Sequence, residues 1–289
     1  MMTASVPSAT PSRACAGAVL LLPGLCSTPD ELLHLQSSLR RSGWHVSTPH
    51  IAGYCFDTEA GAEGQRSSGF GDWVERVCAE FRQLRMQHET VLLAGISAGA
   101  ALALAAVARL GEAAAGVVLM STTLRMDGWS VRRSRWLLPL ALYTPVGRLW
   151  RYRERAPYGV KNLRVREWIE QELKDRRISR AGCAAIGVGH LREYDRLRRA
   201  VRRSLAAVRC PVLALHARED EVASLSNIDL LARGLTHAPL HTVVLENSYH
   251  MISIDNDRRQ VAEETIGFAR AVAQGRAPAC ASSSTSTES

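Results

Sequence analysis

Short continuous runs of apolar residues alternate along this chain with stretches of helical periodicity, and that alternation leaves few folds open. Ala16 to Gly24 (AGAVLLLPG) is the first run, ended by Pro-Gly as a strand covered on both faces should be. Trp44–Thr48, Val91–Ala94, Gly116–Met120, Pro211–Leu215 and Thr242–Leu245 read as the other strands. Thr28-Pro29-Asp30-Glu31 opens a helix, with an N-cap Thr, Pro at the first helical position and Glu at the third. That helix carries Leu32, Leu33, Leu35 and Leu39 and stops at Gly43. Further helices are expected at about Asp72–Met86, Ala98–Leu110 and Asp257–Ala273. The order predicts an α/β fold: a mostly parallel sheet of about six strands with helices on both faces. No apolar run approaches the roughly 18 residues of a membrane-spanning helix. The aliphatic content is also far above that of a chain disordered throughout.

One segment departs from the alternation. Thr123 to Arg209 is too long for a single crossover, is mostly helical in pattern, and is expected to form a helical cap inserted into the core. Charge marks the same segment. The whole chain has 36 Lys+Arg against 28 Asp+Glu, a net of +8. The segment alone has 22 basic and 8 acidic residues, a net of +14, so the remainder sums to −6. The expected division is a disordered tail at 1–13, a core at 14–122 and 210–275, a basic cap at 123–209, and a disordered tail at 276–289. The seven cysteines form no CxxC pair and no metal-ligand spacing, so free thiols in a reducing, cytoplasmic setting are expected, with no metal.

Gly95-Ile96-Ser97-Ala98-Gly99 is a G-x-S-x-G between an expected strand and an expected helix. Such a turn holds its serine in strained geometry, and small residues beside it let strand and helix approach closely. It also sets Ser97 at a helix N-terminus, which favours an adjacent oxyanion. The bland alternative is a Gly-rich turn with Ser97 as a helix cap. A serine hydroxyl needs a base, and the base an orienting carboxylate; at such an elbow the chain order is Ser, acid, His. Glu219, Asp220 and Glu221 follow the fifth strand. Asp220 is the expected acid because Val222 would anchor its loop, and Glu219 and Glu221 are expected to face solvent. His250 follows the last strand and is the expected base. His241, the nearest rival, is expected before that strand, and His216 lacks the right place in the order. The oxyanion needs two aimed N–H groups: Ala98, directly after the nucleophile, and Leu25, in the Pro23-Gly24-Leu25 loop after the first strand.

These residues resemble the α/β-hydrolase superfamily, and within it the small bacterial carboxylesterases and monoacylglycerol-lipase-like members. LLPGLCSTPDEL, GDWVERV, GISAGA, LHAREDEV and SYHMISID fall in the order of that group's motif blocks. The resemblance spans about Ala16 to Thr122 and Cys210 to Ala273 and is poor through the cap. It implies an α/β-hydrolase fold, a Ser97–Asp220–His250 triad with Leu25 and Ala98 as oxyanion donors, and hydrolysis of short- to medium-chain or monoacylglycerol-like esters without a cofactor. Two departures stand out. Pro23 replaces the usual His of the oxyanion loop, and the turn after the second strand is Ala52-Gly53-Tyr54-Cys55.

A thioesterase, acyltransferase or peptidase would use the same triad, because cap pockets decide among them. A non-catalytic binding protein of this fold is the reading from a different class. In the cap, Trp136 to Leu142 is apolar, with Arg132, Arg133 and Arg135 on one side and Arg148, Trp150, Arg151, Tyr152, Arg153 and Arg155 on the other. That composition suits either an acyl-chain tunnel over Ser97 or peripheral contact with anionic membrane. The excess of Arg over Lys fits codon bias, which does not account for its concentration in one segment. Nucleic acid is not an expected partner, because Leu191, Tyr194, Leu197, Val201 and Leu205 fit packing onto the core and no recognition motif accompanies the charge.

Overall fold

The structure, a computed structural model, describes residues 16–56, 66–131, 137–145, 151–153, 156–176, 178–179, 182–183 and 185–276. The two tails (apart from Arg276) and the cap residues Arg132, Arg133, Arg135, Trp136, Arg148, Trp150 and Arg155 lie outside the described residues.

The chain builds β1 (Ala18–Leu22), α1 (Leu33–Arg41), β2 (His45–Ser47), α2 (Phe70–Gln87), β3 (Val91–Ile96), α3 (Ala98–Leu110) and β4 (Gly116–Met120). The cap segment contributes α4 (Leu138–Tyr143), β5 (Arg151–Arg153), α5 (Leu163–Arg176), β6 (Ile178–Ser179), β7 (Gly182–Cys183), β8 (Ala185–Gly187) and α6 (Val188–Ser204). The core resumes with β9 (Val212–Ala217), α7 (Ser226–Gly234), β10 (Leu240–Leu245) and α8 (Arg258–Ala273). Six strands form one sheet in the order β10-β9-β4-β3-β1-β2, and every neighbouring pair is parallel.

Side chains alternate across a strand, and here both faces are covered, which is why the strands read as unbroken apolar runs. Leu20 and Leu22 of β1, Leu93 of β3 and Leu119 of β4 face one core with α2, α3 and α6. Val19 and Leu21, Leu92 and Ile96, and Met120 face the other core with α1 and α8. Each such side chain contributes about 1.5–3 kcal/mol by leaving water. Tyr194, Leu197 and Val201 of α6 join the first core, so this basic helix is a packed layer of the fold.

Three sequence expectations are corrected, and the cap adds strands to its helices. The Pro29–Leu32 turn is a 3₁₀ turn whose Thr28 makes no side-chain cap bond, and the α-helix begins only at Leu33. Glu31 does not close a capping box; it turns inward and is buried. Beside its helices the cap carries short strands. β5 pairs with β8 and β6 with β7 as two small antiparallel ribbons. The β5–β8 pair joins segments distant in sequence, which leaves no local period to read. Finally, β10 begins at Leu240, so His241 lies within the strand and not before it.

Candidate active site

Parallel strands bring all their C-terminal ends to one edge of the sheet, and the loops beyond those ends meet there. Leu25 follows β1, Ser97 follows β3, Asp220 follows β9 and His250 follows β10. Residues far apart in sequence thus converge because of strand direction alone.

β3 runs straight into Ser97, which adopts φ 55° and ψ −115° before α3 starts. An L-residue is strained there, and only close packing sustains it. The packing is visible on both sides. A Cβ at Gly95 would overlap the backbone of Gly99 and Ala100, and one at Gly99 would overlap the carbonyls of Leu22 and Pro23. Ser97 makes no side-chain cap bond to α3. Its Oγ instead lies 2.9 Å from His250 Nε2, with Thr123 Oγ1 at 3.5 Å.

His250 presents Nδ1 to Asp220, at 2.8 Å from Oδ2 and 3.0 Å from Oδ1. Asp220 is almost fully buried, and burial alone would raise its pKa. The His250 charge and hydrogen bond, the nearby His216 and the Ala223 N–H outweigh that, holding the carboxyl below its usual range. Val222 and Ala223 both donate backbone N–H bonds of 2.8 Å to Oδ1. Of the three adjacent carboxylates, Asp220 therefore faces the imidazole. Glu219 is exposed and pairs with Lys161 at 2.9 Å. Glu221 departs from the expectation of solvent exposure: it is 3% exposed and its Oε2 accepts the backbone N–H of His250 at 3.1 Å. Burial pushes its pKa up.

The loops are locked by polar contacts that no local pattern signals. Asp255, fully buried, accepts from the N–H groups of Tyr249, Lys161 and Asn162, and so ties the His250 loop to the cap. Ser121 donates to the His250 carbonyl at 2.6 Å. His216 has no exposure, sits 2.7 Å from the Ala223 carbonyl through Nε2, and lies 3.6 Å from Asp220. It buttresses the acid loop, and burial lowers its pKa. A histidine at the end of a buried strand was the one available signal of that role.

A cavity of about 150 Å³ opens over Ser97, reached by Gly24, Leu25 and Ala98 from the core. Leu138, Leu142, Ile186 and Leu191 line it from the cap, with Asp195 and Arg198 also present. Among the loop and turn hydrogen bonds of the described residues, none uses the N–H of Leu25 or Ala98. The structure therefore brings Ser97, Asp220, His250, Leu25 and Ala98 to one place. The site can move a proton from a hydroxyl to an imidazole beside an apolar chamber.

A family model described as the alpha/beta hydrolase fold matches residues 17–257. The thermostable monoacylglycerol lipase of Bacillus sp. (strain H-257) is 24% identical over 250 residues, which cover 86% of this chain and 89% of that protein. A solved structure of metagenome-derived lipolytic enzymes superposes with a TM-score of 0.72 at 23% identity, covering 90% of this chain and 95% of the other. The monoacylglycerol lipase of Paleococcus ferrophilus gives a TM-score of 0.70 at 15% identity, covering 90% and 96%.

Proposed function

This chain belongs to the α/β-hydrolase family, and from that premise we propose that it hydrolyses carboxylic esters through Ser97, His250 and Asp220. The observation that carries the reading is the continuous relay: Ser97 Oγ 2.9 Å from His250 Nε2, and His250 Nδ1 on Asp220. His250 takes the Ser97 proton as Oγ attacks the ester carbonyl, and the imidazolium that results is stabilised by buried Asp220. The tetrahedral oxyanion is held by the N–H groups of Leu25 and Ala98. Collapse breaks the bond to the alcohol, which leaves with the proton from His250. Water, deprotonated by His250, then attacks the acyl-enzyme and releases the carboxylic acid and Ser97.

The apolar cap lining from Leu138, Leu142, Ile186 and Leu191 favours a short- to medium-chain acyl group, and a monoacylglycerol-like substrate accords with the names of the relatives. The test is turnover of p-nitrophenyl esters of graded chain length and of monoacylglycerols, beside thioesters and amides, with Ser97→Ala as control. Full activity in that variant would sink the assignment, and preference for thioesters would move it within the family.

A second reading concerns where the substrate comes from. α4 turns Leu138 and Leu142 into the cavity, while Leu140 (60% exposed), Leu137 and Tyr143 face outward. Tyr143 shares a groove with Arg196, Arg199 and Arg203 of α6. Apolar side chains bordered by arginines fit an anionic lipid surface. Flotation with phosphatidylglycerol vesicles should recover the wild type and lose Leu140→Asp; equal flotation of both removes this reading. Among the described residues, no helix is long and apolar enough to cross a membrane.

A further inference from the structure

Glu31 is a buried carboxyl that the relay does not use. It is 1% exposed and lines the cavity beside Ser97. Its Oε1 accepts the backbone N–H of Gly24, and its Oε2 lies 2.7 Å from Ser27 Oγ. The carboxyl therefore spans the loop from the residue before Leu25 to the residue two after it. The far side of the loop is held by the Cys26 N–H, bonded to the Tyr54 carbonyl at 2.9 Å.

Resting on the ester-hydrolase reading, we propose that Glu31 is the positioning residue of the oxyanion loop, aiming the Leu25 N–H at the substrate, and that it works as the uncharged acid. The geometry supports the uncharged form. No ion pair to Glu31 occurs among the described residues, and a buried carboxylate without a cation is strongly disfavoured. The titratable groups facing it are Tyr54 and Cys55 from the turn after β2 and His250 from the loop after β10. Burial pushes Tyr54 well up and Cys55 to about 11, so both stay neutral and only His250 can supply positive charge. Burial likewise moves Glu31 up to about 7.

As the acid, Glu31 still accepts from Gly24 through Oε1 while its proton, on Oε2, is donated to Ser27 Oγ. Ser27 can then turn its own hydrogen toward the Thr28 carbonyl at 3.5 Å. Ionisation leaves the Gly24 bond in place but sets a negative charge next to the position where the oxyanion forms, and opposes it. The bond pattern thus holds the loop in both states, and the charge alone distinguishes them.

Gln reproduces the acid: its carbonyl accepts from Gly24 and its amide donates to Ser27. The experiment compares wild type, Glu31→Ala and Glu31→Gln on one p-nitrophenyl ester from pH 5.5 to 9.5, with a thermal melt of each. Glu31→Ala should lower kcat about 100-fold with KM within about threefold, the pattern of a misaimed oxyanion donor. Glu31→Gln should restore kcat to within about threefold at pH 6 and exceed the wild type about tenfold at pH 9, because it cannot ionise. Parallel pH profiles for wild type and Glu31→Gln overturn the proposal, as does wild-type kcat in a folded Glu31→Ala. If Glu31→Ala melts below the assay temperature, the Glu31→Gln ratio across pH decides alone. A wild type inert to every ester and to a fluorophosphonate removes the hydrolase reading and this inference with it. An active wild type with unaffected variants removes only the role of Glu31.

Discussion

The hydroxyl of Tyr54 donates a 2.7 Å hydrogen bond to the carbonyl of Pro23, joining the turn after β2 to the loop after β1. Tyr54 has no exposure and stacks edge-on against Trp73. The loop that carries Leu25 is thereby tethered through its backbone, without the histidine that the resemblance leads one to expect at Pro23. Tyr54→Phe removes the donor and leaves a buried carbonyl short of a partner, which costs about 1–3 kcal/mol. Urea unfolding should show a lower midpoint with an unchanged slope, and ester turnover should fall with it.

Ser97 stores backbone strain at φ 55°. Ser97→Ala and Ser97→Gly both remove the nucleophile, yet only glycine is at ease in that conformation. Both variants should lose activity, and Ser97→Gly should be the more stable by about 1 kcal/mol. Equal melting temperatures would show that the turn holds no strain.

Asp220→Asn keeps the size of the side chain but offers an amide to His250 Nδ1, which favours the wrong tautomer. A fall of about 10⁴-fold in kcat is expected at neutral pH. Single-turnover kinetics with an activated ester would check it.

Leu142 is 2% exposed and lines the chamber over Ser97. Leu142→Trp should shorten that chamber and shift the preferred p-nitrophenyl ester toward shorter acyl chains, leaving acetate turnover within a few-fold of wild type. An unchanged chain-length profile would place the acyl group elsewhere.

Glu31 makes stability depend on pH with a defined sign. Its pKa rises from 4.5 to about 7 on folding, so between those values the folded protein holds a proton that the unfolded chain has released. Stability from this group is fully present below pH 4.5 and is lost as pH rises through 7. The loss amounts to about 3 kcal/mol. Glu31→Gln is spared it, so its melting temperature relative to wild type should rise between pH 5 and pH 8. A constant difference across that range would refute the linkage.

Much of the site was legible because its signals are local. G-x-S-x-G announces a turn that only small neighbours permit, and the order Ser97, Asp220, His250 follows the loops after β3, β9 and β10. Three carboxylates in a row were harder. Glu219 and Asp220 fell as expected, but Glu221 turned inward to the His250 N–H, a contact made across 29 positions. Glu31 misled in a similar way. Its spacing from Thr28 fits a capping box, yet competing hydrogen-bond partners, the Gly24 N–H and the Ser27 hydroxyl, hold it in the core. Asp255 acts through Lys161 and Asn162 of the cap, which its neighbours in sequence do not reveal, and His216 acts through Ala223, in the loop that follows its own strand.

By itself the sequence determined the parallel sheet, the helices that cover it and the five residues gathered at its C-terminal edge, because periodicity, strand direction and chain order are properties of short segments. The tertiary structure alone decided which face of the cap helices meets the cavity, and which acids are buried against His250 and the oxyanion loop. Those outcomes turn on desolvation and on hydrogen bonds between distant loops. A carboxyl has the same spacing in the sequence whether it ends in water or in the core, and only the packed fold settles which.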